Sequence, residues 1–417
     1  METSDTQQPK LHPARSAPLI ALRYRDFRLL WFGQMVSTAG TQMRVVAVTY
    51  QLYQLTGSPL ALGMLGVSRL VPLVLLGLGS GLVADRFDRR RLMLATQTAL
   101  MLVSAAMAAL SVADRMTPLM IYLLMMLAST ASTFDMPARQ ALIPALVPRE
   151  HLPNALSLNI IVWQMASIGG PTLGGLVIAG FGVAGVYIFD TISYLAVIIA
   201  LLLMQHRHVP TPESRAPVTF GAALEGLRFV LRSPVILSTM LLDFVAMFFG
   251  AATTLLPIFA AEILHVDERG LGLLYAAPSA GAVTAALFMS TRSSVRKQGM
   301  VLLWAVVAYG LCTALFGLSR SFVLSLILLA GTGAADTISM VIRGTMRQLL
   351  TPDELRGRMT AVNMLFFAGG PQLGEIEAGI AAQLLGTGPS VFFGGVACVI
   401  AVAAIAAAVP KLRRYDQ

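Results

Sequence analysis

Twelve stretches of mostly apolar residues follow one another along this chain, each near or above the roughly 20 residues that a spanning helix needs. They run over about 27–54, 60–84, 91–112, 118–142, 155–180, 184–204, 235–262, 270–290, 300–318, 321–346, 359–385 and 390–410. Turn signals separate many of them: Gly57-Ser58-Pro59, Pro148 with Pro153, Pro352, and Gly386-Thr387-Gly388-Pro389. Only 12% of the residues are charged, against ~25% in soluble domains. So few charges leave too little polar surface for a water-soluble body of this size, and lipid removes the need for it. The reading is an all-α membrane protein of twelve transmembrane helices.

The net charge of +9 invites a nucleic-acid reading, which the positions of the charges turn aside. With both termini on one side, that side receives 23 of the 30 Lys and Arg residues, and the other receives Arg115, Arg269 and Arg320. This asymmetry places both termini in the cytoplasm and favours an even helix count. No short apolar segment with a small-residue cleavage site precedes the first long run, so the first spanning helix is expected to do the targeting. Cys312 and Cys398 lie inside apolar runs and form no CxxC pair, and all five histidines fall in predicted tails or loops. These features argue against a disulfide framework or a metal site. No GxxxxGK[ST] loop is present, which argues against ATP drive within the chain.

The longest connection, about 205–234, divides the chain into a cytoplasmic tail (1–26), a six-helix bundle (27–204), a cytoplasmic linker (205–234), a second bundle (235–410) and a tail (411–417). Within the linker, Phe220 to Arg232 mixes Leu224, Leu227, Phe229 and Leu231 with Glu225, Arg228 and Arg232, as a helix lying on a membrane surface does. The bundles repeat. Leu146-Val147-Pro148-Arg149-Glu150 matches Leu350-Thr351-Pro352-Asp353-Glu354 at an offset of 204, which also pairs Arg139 with Arg343. Gly169-Gly170-Pro171-Thr172-Leu173-Gly174 matches Gly369-Gly370-Pro371-Gln372-Leu373-Gly374 at an offset of 200. Two six-helix parallel repeats are the plan of a rocking-bundle transporter.

The loop after helix two runs Gly81-Leu82-Val83-Ala84-Asp85-Arg86-Phe87-Asp88-Arg89-Arg90. It anchors the chain by positive charge, and it also resembles the G-x-x-x-D-R-x-G-R-R/K signature of the major facilitator superfamily, with Asp88 where many members have glycine. The resemblance implies a conformational latch. Asp85 would sit at the N-terminal dipole of helix eleven, which starts near Arg358, and Arg86 or Arg89 would meet Asp135 of helix four, with Arg139 one turn later. Gly170, Pro171, Gly174 and Gly175 in helix five permit close helix contact and a bend. They resemble the G-P-x-x-G-G element of the antiporter branch, without its longer upstream glycine pattern. Leu55-Thr56-Gly57-Ser58-Pro59, Pro137-Ala138-Arg139-Gln140-Ala141 and Gly357-Arg358-Met359 narrow the resemblance to the enterobactin-exporter and macrolide-efflux branch. Over residues 24–410 it implies a monomeric twelve-helix fold, a central cavity lined chiefly by helices one, four, seven and ten, and export of siderophores or amphiphilic drugs.

Ionisable residues inside spans are functional candidates by default, since each costs at least ~2.5 kcal/mol to insert. Here they are Arg44, Arg69, Asp190, Asp243, Asp336, Arg343, Glu375 and Glu377. Glu375 is the first choice for proton coupling, with Glu377 and Asp336 next. A carboxylate in apolar surroundings can take up and release a proton near neutral pH. The structural alternative is an ion pair of each acid with Arg44, Arg69 or Arg343. Glu375 and Glu377 are two apart on a helix, about 200° around its axis, and so face different neighbours.

These observations add up to a secondary active exporter that exchanges a small amphiphile for protons across a bacterial inner membrane. It needs no cofactor beyond the proton gradient and no nucleic acid. Uptake by symport on the same fold and lipid scrambling are the rivals, and a non-transporting sensor would leave the latch loop without a use. An intramembrane enzyme lacks its nucleophile, metal motif or spanning histidine.

Overall fold

The computed structural model describes residues 19–205, 227–291, 296–352 and 355–416. Residues 1–18 and most of the linker, including Leu224 and Glu225 of the expected surface helix, thus lie outside the described residues, as does the side chain of Asp85.

Side-chain caps start four of the spans, those that open at Pro59, Arg89, Pro118 and Glu268. The first span, α1 (Arg25–Thr56), ends at Gly57, whose left-handed φ of 57° turns the chain. Ser58 then accepts from the Ala61 amide with Pro59 as first helical residue, and α2 (Pro59–Arg86) starts. Asp88 stands at a φ of −58° and accepts from the Arg91 amide, so it opens α3 (Arg89–Val112) as an N-cap and asks nothing of glycine. Thr117 caps α4 (Pro118–Leu142). Leu152–Leu203 is one run of helix broken at Gly182, whose φ is 70°. Its arms, 152–181 and 183–203, are α5 and α6.

The seventh span is not continuous. α7 (Pro234–Phe249) stops in mid-membrane, and a 3-10 turn (Ala252–Leu255), a short α-turn (Leu256–Ile258) and a π-turn (Phe259–Ile263) complete the crossing. Then come α8 (Glu268–Ser290), capped by Asp267, α9 (Gln298–Leu318), α10 (Phe322–Leu350), α11 (Arg356–Leu385), α12 (Thr387–Ala408) and the short α13 (Pro410–Arg413). The molecule is an all-α, multi-pass membrane protein. Its outer faces carry apolar side chains such as Leu75, Leu102, Trp163, Phe181 and Trp304, all more than half exposed and fit only for lipid.

The described end of the linker folds against the second bundle. Val230 is fully buried and packs with Ile236 and Met240 of α7 and Met359 of α11. The two bundles meet through glycines. A Cβ built on Gly63 of α2 would lie 2.8 Å from the Cα of Gly379 of α11. One built on Gly175 of α5 would lie 2.3 Å from the Glu268 carbonyl oxygen and 3.0 Å from the Cα of Gly272 of α8. Such approach needs residues without side chains.

Candidate functional site

Among the described residues, the hydrogen bonds that join the halves lie from the membrane middle to the end remote from the chain termini. The Tyr50 hydroxyl donates to Glu268 at 2.7 Å and the Tyr53 hydroxyl to Glu262 at 2.5 Å. Thr49 and Tyr275 share a hydroxyl–hydroxyl bond of 2.8 Å, and Ser58 donates to Gln383 at 3.3 Å. Deepest of the set, Arg69 of α2 donates to Glu375 of α11 at 2.7 Å. Of the ion pairs between described residues, this is the one that joins the halves. The tyrosine contacts carried no signal along the sequence, because their partners lie more than 200 residues away.

The repeat is visible in what the glycines touch. Gly170 and Gly174 of α5 press on Ala39, Gln42 and Met43 of α1, while Gly370 and Gly374 of α11 press on Phe244, Met247 and Phe248 of α7. Pro171 lies inside α5, and its carbonyl faces Gly272. At the next position the halves diverge: Gly175 meets Gly272, whereas Glu375 meets Arg69.

Each arginine inside the membrane has an acid. Arg44 pairs with Asp190 at 3.1 Å and donates to the Tyr194 hydroxyl at 3.2 Å, while Ser104 donates to the same carboxylate. Both charges are almost wholly enclosed, so this cluster pins α1, α3 and α6 together inside the first half. Arg343 of α10 pairs with Asp243 of α7 at 2.8 Å and with Asp336, two turns earlier on its own helix, at 3.3 Å. Asp243 is buried, but Asp336 keeps 30% of its side chain exposed. Glu377 faces away from Glu375, toward Ser390 and Val391 of α12.

At the other end, the latch candidates take individual partners. Asp135 accepts from Thr96 at 2.8 Å, from Gln97 at 2.9 Å and from Arg139, one turn along α4. Arg89 donates instead to the Ala141 carbonyl at 2.8 Å, and Arg90 to the Leu202 carbonyl at 3.0 Å. Arg86 is exposed at the end of α2, and Gly81 lies in the same helix with open space around it. In this state Asp135 is thus held within its own half.

A cavity of about 230 Å³ opens beside the break in the seventh span, lined from α7 through α11 and including Asp336 and Glu375. No residue of α1 or α4 lines it.

The whole chain has relatives. A family model described as a transmembrane secretion effector matches residues 16–417. The enterobactin exporter of Salmonella choleraesuis (strain SC-B67) is 27% identical over 392 residues, covering 94% of each chain, and that of Shigella boydii serotype 18 is 26% identical over the same length. Among solved structures, an inward-facing bacterial homologue of the human lysosomal transporter Spinster superposes with a TM-score of 0.73 at 14% identity, over 94% of this chain and 97% of that one. The nucleoside transporter NupG gives a TM-score of 0.72 at 15% identity, over 94% and 99%. These structures share the fold.

Proposed function

The chain belongs to the transmembrane secretion effector family of the major facilitator superfamily, and we propose that it is a proton-coupled antiporter that expels small amphiphilic molecules. It is a secondary transporter and not an enzyme. The curated relatives are named enterobactin exporters, which makes siderophores and amphiphilic drugs the substrate classes to try first. Its place is the bacterial inner membrane, with both termini in the cytoplasm as the lysine and arginine asymmetry indicates. It acts as a monomer in the bilayer, with the proton gradient as its drive and no nucleic-acid partner.

The observation that carries this reading is the Arg69–Glu375 pair. It joins the halves deep in the membrane, so protonating Glu375 weakens the contact that keeps the outer end shut. With the termini inside, the closed end of this structure faces outward. Taking up its proton while the outer end is open and releasing it to the cytoplasm once that end is closed, Glu375 carries protons inward, and the release restores its pair with Arg69. Asp135, held by Arg139 rather than by Arg86 or Arg89, fits an inner latch that is undone while the outer end is closed. When the outer end opens, Arg86 or Arg89 takes Asp135, and Asp85 moves to the start of α11. Transport follows from alternating between the two closures.

The test is substrate movement in proteoliposomes under an imposed pH gradient, with fluorescent amphiphilic dyes and catecholate siderophores. The wild type moves substrate against its gradient as protons run down theirs, and Glu375→Gln loses the dependence on pH. Movement indifferent to the gradient, or equal in the variant, removes Glu375 from the mechanism.

A further inference from the structure

The cavity in the second half is built unlike a gap between packed helices. α7 ends as an α-helix at Phe249, and its last-turn carbonyls, the negative pole of its dipole, stop in mid-membrane. The break is held open by the Tyr309 hydroxyl, which donates to the Gly250 carbonyl at 3.2 Å. Thr254, on the far side of the break, lines the cavity and is only 6% exposed. Among the described residues its hydroxyl has no hydrogen-bond partner. Glu375 lines the cavity too. Its Oε1 holds Arg69, while its Oε2 is buried without a partner among the described residues. A buried acceptor left so keeps its desolvation cost uncompensated, and it calls for a donor.

Charge points the same way. Two carboxylates line the cavity, Asp336 and Glu375; each is paired with a guanidinium, Arg343 and Arg69, and Arg343 is shared with a third carboxylate, Asp243. Arg343 gives its shorter contact to Asp243, which leaves Asp336 with a long bond of 3.3 Å on the cavity wall. The next cation along α10, Arg347, donates to Asn363 and does not line the cavity. The remaining wall is apolar and aromatic, with Met247, Phe316 and Leu329 beside Tyr309. A volume of about 230 Å³ is room for roughly seven waters at ~30 Å³ each, far more than one bare metal ion fills.

We propose that this cavity binds the protonated amine of a small organic cation, its ammonium between Asp336 and the free oxygen of Glu375 and its carbon body against Phe316 and Leu329. Thr254 accepts one of the ammonium hydrogens, and the rings add attraction for the charge. The inference deepens the transporter reading, on which it rests for its purpose, by naming amine-bearing amphiphiles as cargo. It also gives binding a consequence: an ammonium at Glu375 competes with Arg69 for one carboxylate and so loosens the contact between the halves.

Benzylammonium is the probe, with phenylacetate and benzyl alcohol as isosteric anion and neutral controls. Saturable binding to the purified full-length protein in nanodiscs is read by equilibrium dialysis. The wild type is expected to bind benzylammonium at least 10-fold more tightly than either control. Asp336→Asn and the near-isosteric Thr254→Val are each expected to weaken it about 10-fold. Thr284→Val, a lipid-facing change on α8, leaves it unchanged and controls for folding. Equal binding of the controls overturns the proposal. So does wild-type affinity in both site variants, or full displacement of the probe by sodium but not potassium at equal ionic strength. Binding is read without a gradient, so a protein that binds benzylammonium yet moves nothing under a pH gradient refutes the antiporter reading alone.

Discussion

The halves cross each other twice at the end remote from the termini, α5 against α8 and α11 against α2, and the internal repeat makes these crossings counterparts. Both are glycine contacts in which added side chains would strike backbone: Gly175 on Gly272, and Gly63 on Gly379. They differ in one position. Where α5 has Gly175, α11 has Glu375, and α2 answers it with Arg69. With Gly66 and Gly272 taken as equivalent, the counterpart of Arg69 on α8 is Tyr275, which makes only a hydroxyl bond to Thr49. One crossing is therefore fixed by shape alone. The other is fixed by shape and charge, so it is the one that a proton can address.

Removing the charge from one side of the second crossing is expected to have the largest effect. Arg69→Met leaves Glu375 without its partner, at a cost of about 3 kcal/mol, the low end for a broken buried pair because both side chains are partly exposed. The closed state should lose occupancy accordingly, read as labelling of a cysteine placed at Tyr275 by a membrane-impermeant reagent. The double variant Arg69→Met with Glu375→Gln should recover most of that closure while staying insensitive to pH. If the double variant labels as strongly as Arg69→Met, the pair contributes nothing beyond its glycines.

Gly175→Leu tests the shape-only crossing. Overpacking costs about 1–3 kcal/mol, roughly a 5- to 150-fold shift away from the closed state. Its labelling should rise equally at every pH. A pH-dependent rise would show that charge reaches this crossing as well, and the contrast between the two would fail.

Much of this was legible before any fold was known, for reasons that differ by residue. The twelve spans and the Gly57-Ser58-Pro59 turn are local, set by apolar length and by a capped, proline-started helix. The ion pairs were half legible. An arginine in a span must find an acid, so Arg44, Arg69 and Arg343 announced themselves, but the choice among Asp190, Asp243, Asp336 and Glu375 is tertiary. The opposed faces of Glu375 and Glu377 followed from helical spacing alone. The break after Phe249 was not legible. No proline stands at the break itself, Pro257 coming eight residues after Phe249, and the run Met247-Phe248-Phe249-Gly250-Ala251 is as apolar as any span. It exists because Tyr309 takes the Gly250 carbonyl and because Gly374 and Gly394 admit the backbone of Met247 to Phe249. For the same reason the cavity beside it belongs to the second half, whereas the unbroken α1 leaves the first half with an enclosed arginine cluster.

The smallest expected effect lies at the rim of the closure, where Tyr53 meets Glu262. Tyr53→Phe deletes one hydroxyl donor to a carboxylate and nothing else. In a buried setting such a bond is worth ~1.5–3 kcal/mol, but this one is exposed, so about 1 kcal/mol or less is expected, roughly a 5-fold change in labelling at Tyr275→Cys. Tyr50→Phe removes the deeper bond to Glu268, next to the shape-only crossing, and should match or exceed it. A larger effect from Tyr53 than from Tyr50 would mean that closure is governed from the rim inward. The Arg69–Glu375 pair would then follow the closure instead of deciding it, and proton coupling would have to be sought at the carboxylates of the rim.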